Sequence, residues 1–110
     1  MKIDWKLKNF DEVVIDKKDV DAILDKNVIY YTDEYGTHVV DCDNKIYERR
    51  AEYDIFRVDF NKSLLTVIFN DNKLKYDIVT KYEDIKNKLI LSYDLGNEKK
   101  VIEITRKEEL

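Results

Sequence analysis

One histidine, one cysteine and two glycines in 110 residues leave narrow room for chemistry. His38 and Cys42 lie four positions apart, and an imidazole beside a thiol is the smallest nucleophile–base pair a protein can build. On a strand, four residues span roughly 13 Å, far outside hydrogen-bond reach. The plainer reading is a sheet-face histidine and a small buried cysteine. Asp41-Cys42-Asp43-Asn44 is as rich in oxygen as a calcium loop. It lacks the glycine and the terminal bidentate glutamate of such loops, and acidic residues at a hairpin apex are normally turn formers. One Cys and one His do not close a zinc site without carboxylates. No metal and no cofactor is expected.

Glu48-Arg49-Arg50 is the third constellation. Alternation along a strand sends Arg49 and Arg50 to opposite faces, so one arginine points inward. A buried guanidinium needs a partner, because an unpaired internal charge is strongly unfavourable. The partner is an internal carboxylate such as Glu48 or Glu52, or an anionic ligand. The eight tyrosines suit strand faces and the rim of a core better than a nucleic-acid stacking platform, which needs a basic groove beside the rings. Arg49, Arg50, Glu48, Tyr47 and Tyr93 are therefore the candidate ligand contacts. No phosphate-cradling glycine loop, serine elbow or paired-carboxylate motif occurs, and no catalytic residue is assigned.

The elements that must carry these residues are strands. Ile3, Trp5 and Leu7 alternate with Lys2, Asp4, Lys6 and Lys8, the pattern of a half-buried strand. Phe56, Val58 and Phe60 oppose Arg57 and Asp59. Leu74, Tyr76 and Ile78 oppose Lys75 and Asp77. Leu89, Leu91, Tyr93 and Leu95 oppose Lys88, Ser92 and Asp94, and Ile102 and Ile104 flank Glu103. Leu64–Phe69 is almost wholly apolar, as a strand covered on both sides would be. Asp43-Asn44, Asn61-Lys62, Asp71-Asn72 and Gly96-Asn97 fall between such runs and tolerate the left-handed backbone of tight hairpins. Val20, Ile23 and Leu24 fall at helical spacing behind Asp16 and Asp19, predicting a short helical turn within 19–26. Residues 83–88 form a second connection of ambiguous type. No internal repeat, linker or low-complexity tract is apparent. The rhythm is that of an antiparallel meander, barrel or sandwich in a single domain spanning 1–110.

Composition narrows the function classes further. Charged residues make up 40% of the chain and are mixed in sign, with a net charge of −4, so there is no basic footprint for nucleic acid or anionic lipid. A lone cysteine fits a reducing compartment. Met1–Phe10 has neither the apolar run of a signal peptide nor that of an anchor. A cytoplasmic location is expected, with the chain a monomer or dimer.

From about Ile29 onward the sequence resembles the YwiB-like family of small bacterial proteins of unassigned activity. The likeness is carried by Tyr30-Tyr31-Thr32-Asp33-Glu34, by residues 43–52 from Asp43 through Tyr47-Glu48-Arg49-Arg50 to Glu52, by Val79-Thr80-Lys81, and by Leu89–Leu95 with its Tyr-x-Leu ending. Ala51 stands where the family usually has glycine, and Asn72-Lys73 where it has a Tyr-Gly step. The resemblance implies an all-β antiparallel meander closing into a small calycin- or lipocalin-like barrel, with at most one or two short helical turns. The functional expectation is a protein that binds a small ligand without catalysis. The alternative is a protein-interaction module, such as a phage- or mobile-element-encoded inhibitor of a host protein.

Overall fold

The computed structural model describes residues 1–107, which contain strands and turns and no helix. No helix long and apolar enough to cross a membrane occurs among them. The strands are β1 (Lys2–Asn9), β2 (Glu12–Asp21), β3 (Ile23–Asp25), β4 (Val28–Asp33), β5 (Gly36–Asp41) and β6 (Ile46–Arg50), then β7 (Asp54–Asp59), β8 (Leu64–Phe69), β9 (Asn72–Asp77), β10 (Val79–Ile85), β11 (Lys88–Asp94) and β12 (Lys99–Lys107). All pairings are antiparallel. They make two sheets, ordered β10-β11-β12-β1-β2 and β3-β4-β5-β6-β7-β8-β9. The chain divides accordingly into two compact units, Ala22–Asp77 being inserted between the two segments of the other. The strand expectation therefore holds at the level of an all-β antiparallel fold. No closed barrel is found: each sheet ends in two edge strands among the described residues.

The five-stranded unit joins the two ends of the chain. Trp5 faces Ile104, Leu7 faces Ile102, and Leu89 and Leu91 continue the same rows. Ile3, Trp5, Leu89, Leu91, Tyr93, Ile102 and Ile104 are buried, so the period-two pattern read from the sequence is the packing pattern. The opposite face is ionic, with Lys8 3.2 Å from Glu103 and Lys107 3.1 Å from Asp4.

The helical turn expected within 19–26 is not formed. β2 continues to Asp21 and β3 covers Ile23–Asp25. Val20 pairs with Ile3, Leu24 with Ile29, and Asp19, at φ 54°, sits in a β-bulge. Its N–H donates to Asp4 Oδ1 at 2.9 Å, so Asp19 is held by a neighbouring strand and caps no helix. A helix nucleus of one turn is unfavourable, and the pairing of β2 with β1 and of β3 with β4 outweighs a short spacing signal. Residues 83–88 form the β10–β11 hairpin, which turns at Lys86 with φ 55°.

The seven-stranded unit has a periodicity that was not apparent in the sequence. Its hairpins begin at Val28, Ile46 and Leu64 and end at Asp41, Asp59 and Asp77, a repeat of 18 residues. Asp41 Oδ1 accepts the N–H groups of Asp43 and Asn44, and Asp59 Oδ1 accepts those of Asn61 and Lys62. Each of these turns closes through a left-handed residue, Lys45 at φ 55° and Ser63 at φ 50°. The turns also bond laterally, Phe60 N–H to Lys45 O at 3.0 Å and Cys42 N–H to Asn27 O at 3.0 Å. With two glycines in the chain, Asn, Asp, Lys and Ser carry the left-handed geometry, as at Lys26-Asn27 and Asn70-Asp71.

Candidate functional site

The register of the seven-stranded sheet sorts the candidate residues between its faces. Tyr31, His38, Arg49, Phe56, Val67 and Leu74 form one cross-strand row, and Ile29, Val40, Tyr47, Val58, Leu65 and Tyr76 the next row on the same face. Tyr30, Val39, Glu48, Arg57, Thr66 and Lys75 form the central row of the other face. Tyr47 and Arg49 are thus separated from Glu48 and Arg50 by the thickness of the sheet. Tyr93 belongs to the other unit.

On the first face, His38 is 2% exposed and both ring nitrogens are engaged. Nδ1 lies 2.7 Å from Tyr47 Oη and Nε2 lies 3.0 Å from Asp33 Oδ1. With the ring proton on Nε2, the imidazole donates to the carboxylate and accepts from the tyrosine hydroxyl. The Tyr31 ring stacks on it with centroids 4.5 Å apart. Asp33 Oδ1 also accepts the Tyr35 N–H at 2.8 Å, tying the turn between β4 and β5 to the histidine. Gly36 closes that turn at φ 132°, where a Cβ would fall 2.3 Å from the Arg50 carbonyl oxygen. The Asp–His–Tyr chain orders the sheet interior, and its imidazole is shielded from solvent. Arg49 bonds Asp54 at 3.0 Å and lies over the Phe56 ring at 5.8 Å, pinning the β6–β7 hairpin.

The other face carries an open groove of about 230 Å³, lined by Val28, Tyr30, Val39, Asp41, Ile46, Glu48, Arg50 and Arg57. Glu48 lies at its centre with its side chain 8% exposed. Oε2 accepts from Arg50 Nη2 at 3.1 Å and Oε1 from Arg57 Nη2 at 3.1 Å. One carboxylate therefore fixes two guanidinium groups, whose side chains remain 56% and 41% exposed. Each guanidinium has further N–H donors beyond the single bond to Glu48. Val28, Tyr30, Val39 and Ile46 supply an apolar wall. Asp41 stands at the other end of the groove, its carboxyl held below the usual range by the Asn44 side-chain amide and by the N–H groups of Asn44 and Asp43. The oxygen-rich segment 41–44 is a turn whose donors come from the protein itself. Among the described residues no group of three or more His, Cys, Asp or Glu is placed to hold a metal ion.

The structure brings Glu48 and Arg50 together and adds Arg57, a residue outside the candidates named from the sequence. The signal was present: a hairpin turning at Glu52-Tyr53 sets Glu48 directly opposite Arg57, as the β6–β7 register does. The His38 cluster had a weaker signal, since Asp33 and Tyr47 reach it from the two neighbouring strands. Two guanidinium groups share one carboxylate beside an apolar wall, with Asp41 as a second carboxylate in the groove, and their remaining N–H donors are free to meet an acceptor. No protein-family model, curated protein or solved structure matches this chain, so the reading of the groove rests on its own geometry.

Proposed function

We propose that this chain is a cytoplasmic, non-catalytic binding protein that holds a small anionic ligand in the groove around Glu48. The observation that supports this reading is the Arg50–Glu48–Arg57 triplet. Burying a carboxylate is unfavourable unless its lone pairs are met, and here two arginines meet them. The result is two guanidinium groups gathered at one carboxylate with N–H donors left over, suited to a carboxylate or phosphate oxygen. The groove is smaller than most ligand sites, which suits only a compact ligand whose body packs on Tyr30 and Val39. Kinship with the YwiB-like proteins, whose calycin-like barrels can hold one small ligand, is part of this proposal.

The test is the native mass of the tagged protein recovered from bacterial extract under mild conditions, beside that of Arg50→Ala. An adduct of small-molecule size, lost on denaturation and absent from the variant, supports the proposal. An identical bare mass in both, with no stabilisation by any metabolite screened, counts against it.

A second reading, a protein-interaction module such as a mobile-element-encoded inhibitor, is favoured by one observation. Every residue of β9 is exposed, including Leu74 at 51% and Tyr76 at 49%.

A further inference from the structure

We infer that the open edge of β9 receives one added antiparallel strand from a partner protein, a segment alternating apolar and acidic residues. The inference rests on the second reading above and is independent of the groove. β9 closes the third of three hairpins that recur every 18 residues, and the first two show what lies beyond such a strand. β5 is followed across its edge by β6, and β7 by β8, in the same register: Thr37 faces Arg50 and Asp41 faces Ile46, as Ile55 faces Ile68 and Asp59 faces Leu64. β9 presents Lys73 and Asp77 at the matching positions, and among the described residues no strand pairs with its outer edge.

The same register dictates what the added strand must carry. Opposite Tyr76 and Leu74 it takes the places that Leu65 and Val67 hold opposite Val58 and Phe56, so apolar residues belong there. Opposite Lys75 it takes the place that Glu48 holds opposite Val39 and Thr66 holds opposite Arg57, on the other face. Within the sheet, Arg57 is neutralised from the adjoining strand by Glu48. Lys73 and Lys75 form no ion pair among the described residues, and their strand neighbours on β8 are Ile68 and Thr66. Opposite Lys73 the two earlier hairpins carry Arg50 and Ile68, so an acidic residue there answers the charge of the lysine and not the repeat, whereas opposite Lys75 it follows the place of Glu48. Lysines on an edge also repel the wrong strands, so the same pair that blocks indiscriminate pairing selects an acidic partner. Main-chain hydrogen bonds supply affinity and the alternating side chains supply specificity, the usual division of labour in strand addition.

The test uses a fluorescent, end-blocked peptide with the core Leu-Glu-Val-Glu, a second with Leu-Lys-Val-Lys, and a third equal to the first but N-methylated at alternate peptide bonds. Fluorescence anisotropy against the whole protein is expected to show saturable binding of the first alone. The exposed variant Lys73→Glu/Lys75→Glu, checked for native circular dichroism, should lose about tenfold or more in affinity for it and prefer the lysine peptide. Equal binding of the two charge patterns, undiminished binding of the N-methylated peptide, or no binding by a folded protein would overturn the inference. So would self-association through this edge, seen as a dimer in sedimentation that the peptide does not dissociate. Benzoate or inorganic phosphate shifting the Arg50 and Arg57 resonances equally in the lysine variant and the parent separates this surface from the groove.

Discussion

Glu48 and its two arginines should respond to mutation with a marked asymmetry. Arg50→Ala leaves the carboxylate bonded to Arg57, and Arg57→Ala leaves it bonded to Arg50. Hydrogen bonds to charged groups contribute roughly 1.5–3 kcal/mol when desolvated. These guanidinium groups are 56% and 41% exposed, so solvent screening reduces each single loss to about 1 kcal/mol. The double variant is different, because it strands a carboxylate only 8% exposed. Breaking a buried ion pair by removing the opposite charge costs about 3–5 kcal/mol, so the pair should exceed the sum of the singles by about 1–3 kcal/mol. Adding Glu48→Gln to the double variant removes the stranded charge and should restore about 2 kcal/mol. The same substitution in the parent protein should destabilise by about 1 kcal/mol. Urea unfolding followed by circular dichroism suits the question, since 2 kcal/mol moves the midpoint by about 1 M in a small domain. Additive arginine losses, with no rescue by Glu48→Gln, would refute the idea that Glu48 is a buried charge held by these two arginines.

Three further outcomes follow from other parts of the seven-stranded unit. His38→Phe keeps the stack on Tyr31 but removes the ring nitrogens bonded to Tyr47 and Asp33, and thermal unfolding should show a loss of about 2–4 kcal/mol. Gly36→Ala forces a φ of 132° on a residue with a Cβ and sets that atom 2.3 Å from Arg50 O, so a loss of at least about 2 kcal/mol is expected in urea titration. Asp41 has its carboxyl pKa lowered in the folded protein, chiefly by the Asn44 amide. Its contribution is therefore complete above the unfolded value and lost as pH falls through the lower folded value. Stability measured from about pH 5 down to pH 2 should fall less steeply for Asp41→Asn than for the parent.

The alternation of Ile3, Trp5 and Leu7, and of Leu89, Leu91 and Tyr93, made those strands legible because a half-buried strand must show period two. The division into two sheets was not legible. It depends on β1 pairing with β12 across nearly the whole chain, and nothing local in Lys2–Asn9 names that partner. The 18-residue repeat was hidden because its copies share a hairpin plan more than residues: Val40, Val58 and Tyr76 are equivalent, and so are Glu48, Tyr30 and Thr66. The aspartates at 41, 59 and 77 were the visible trace. At the site, alternation correctly set Arg49 and Arg50 on opposite faces. Glu48 is a partner for an arginine that the sequence itself suggests, but Arg57 requires the hairpin register, and the bonds of His38 to Asp33 and Tyr47 come from the two neighbouring strands.

Whether the groove around Glu48 holds an anion is tested most directly by titrating benzoate, and separately inorganic phosphate, into isotopically labelled protein while recording amide and arginine side-chain resonances. Saturable shifts concentrated at Tyr30, Val39, Glu48, Arg50 and Arg57 are expected with at least one of the two anions, and are abolished in Arg50→Ala. Uniform small shifts, or shifts centred away from this face, would contradict anion binding in the groove.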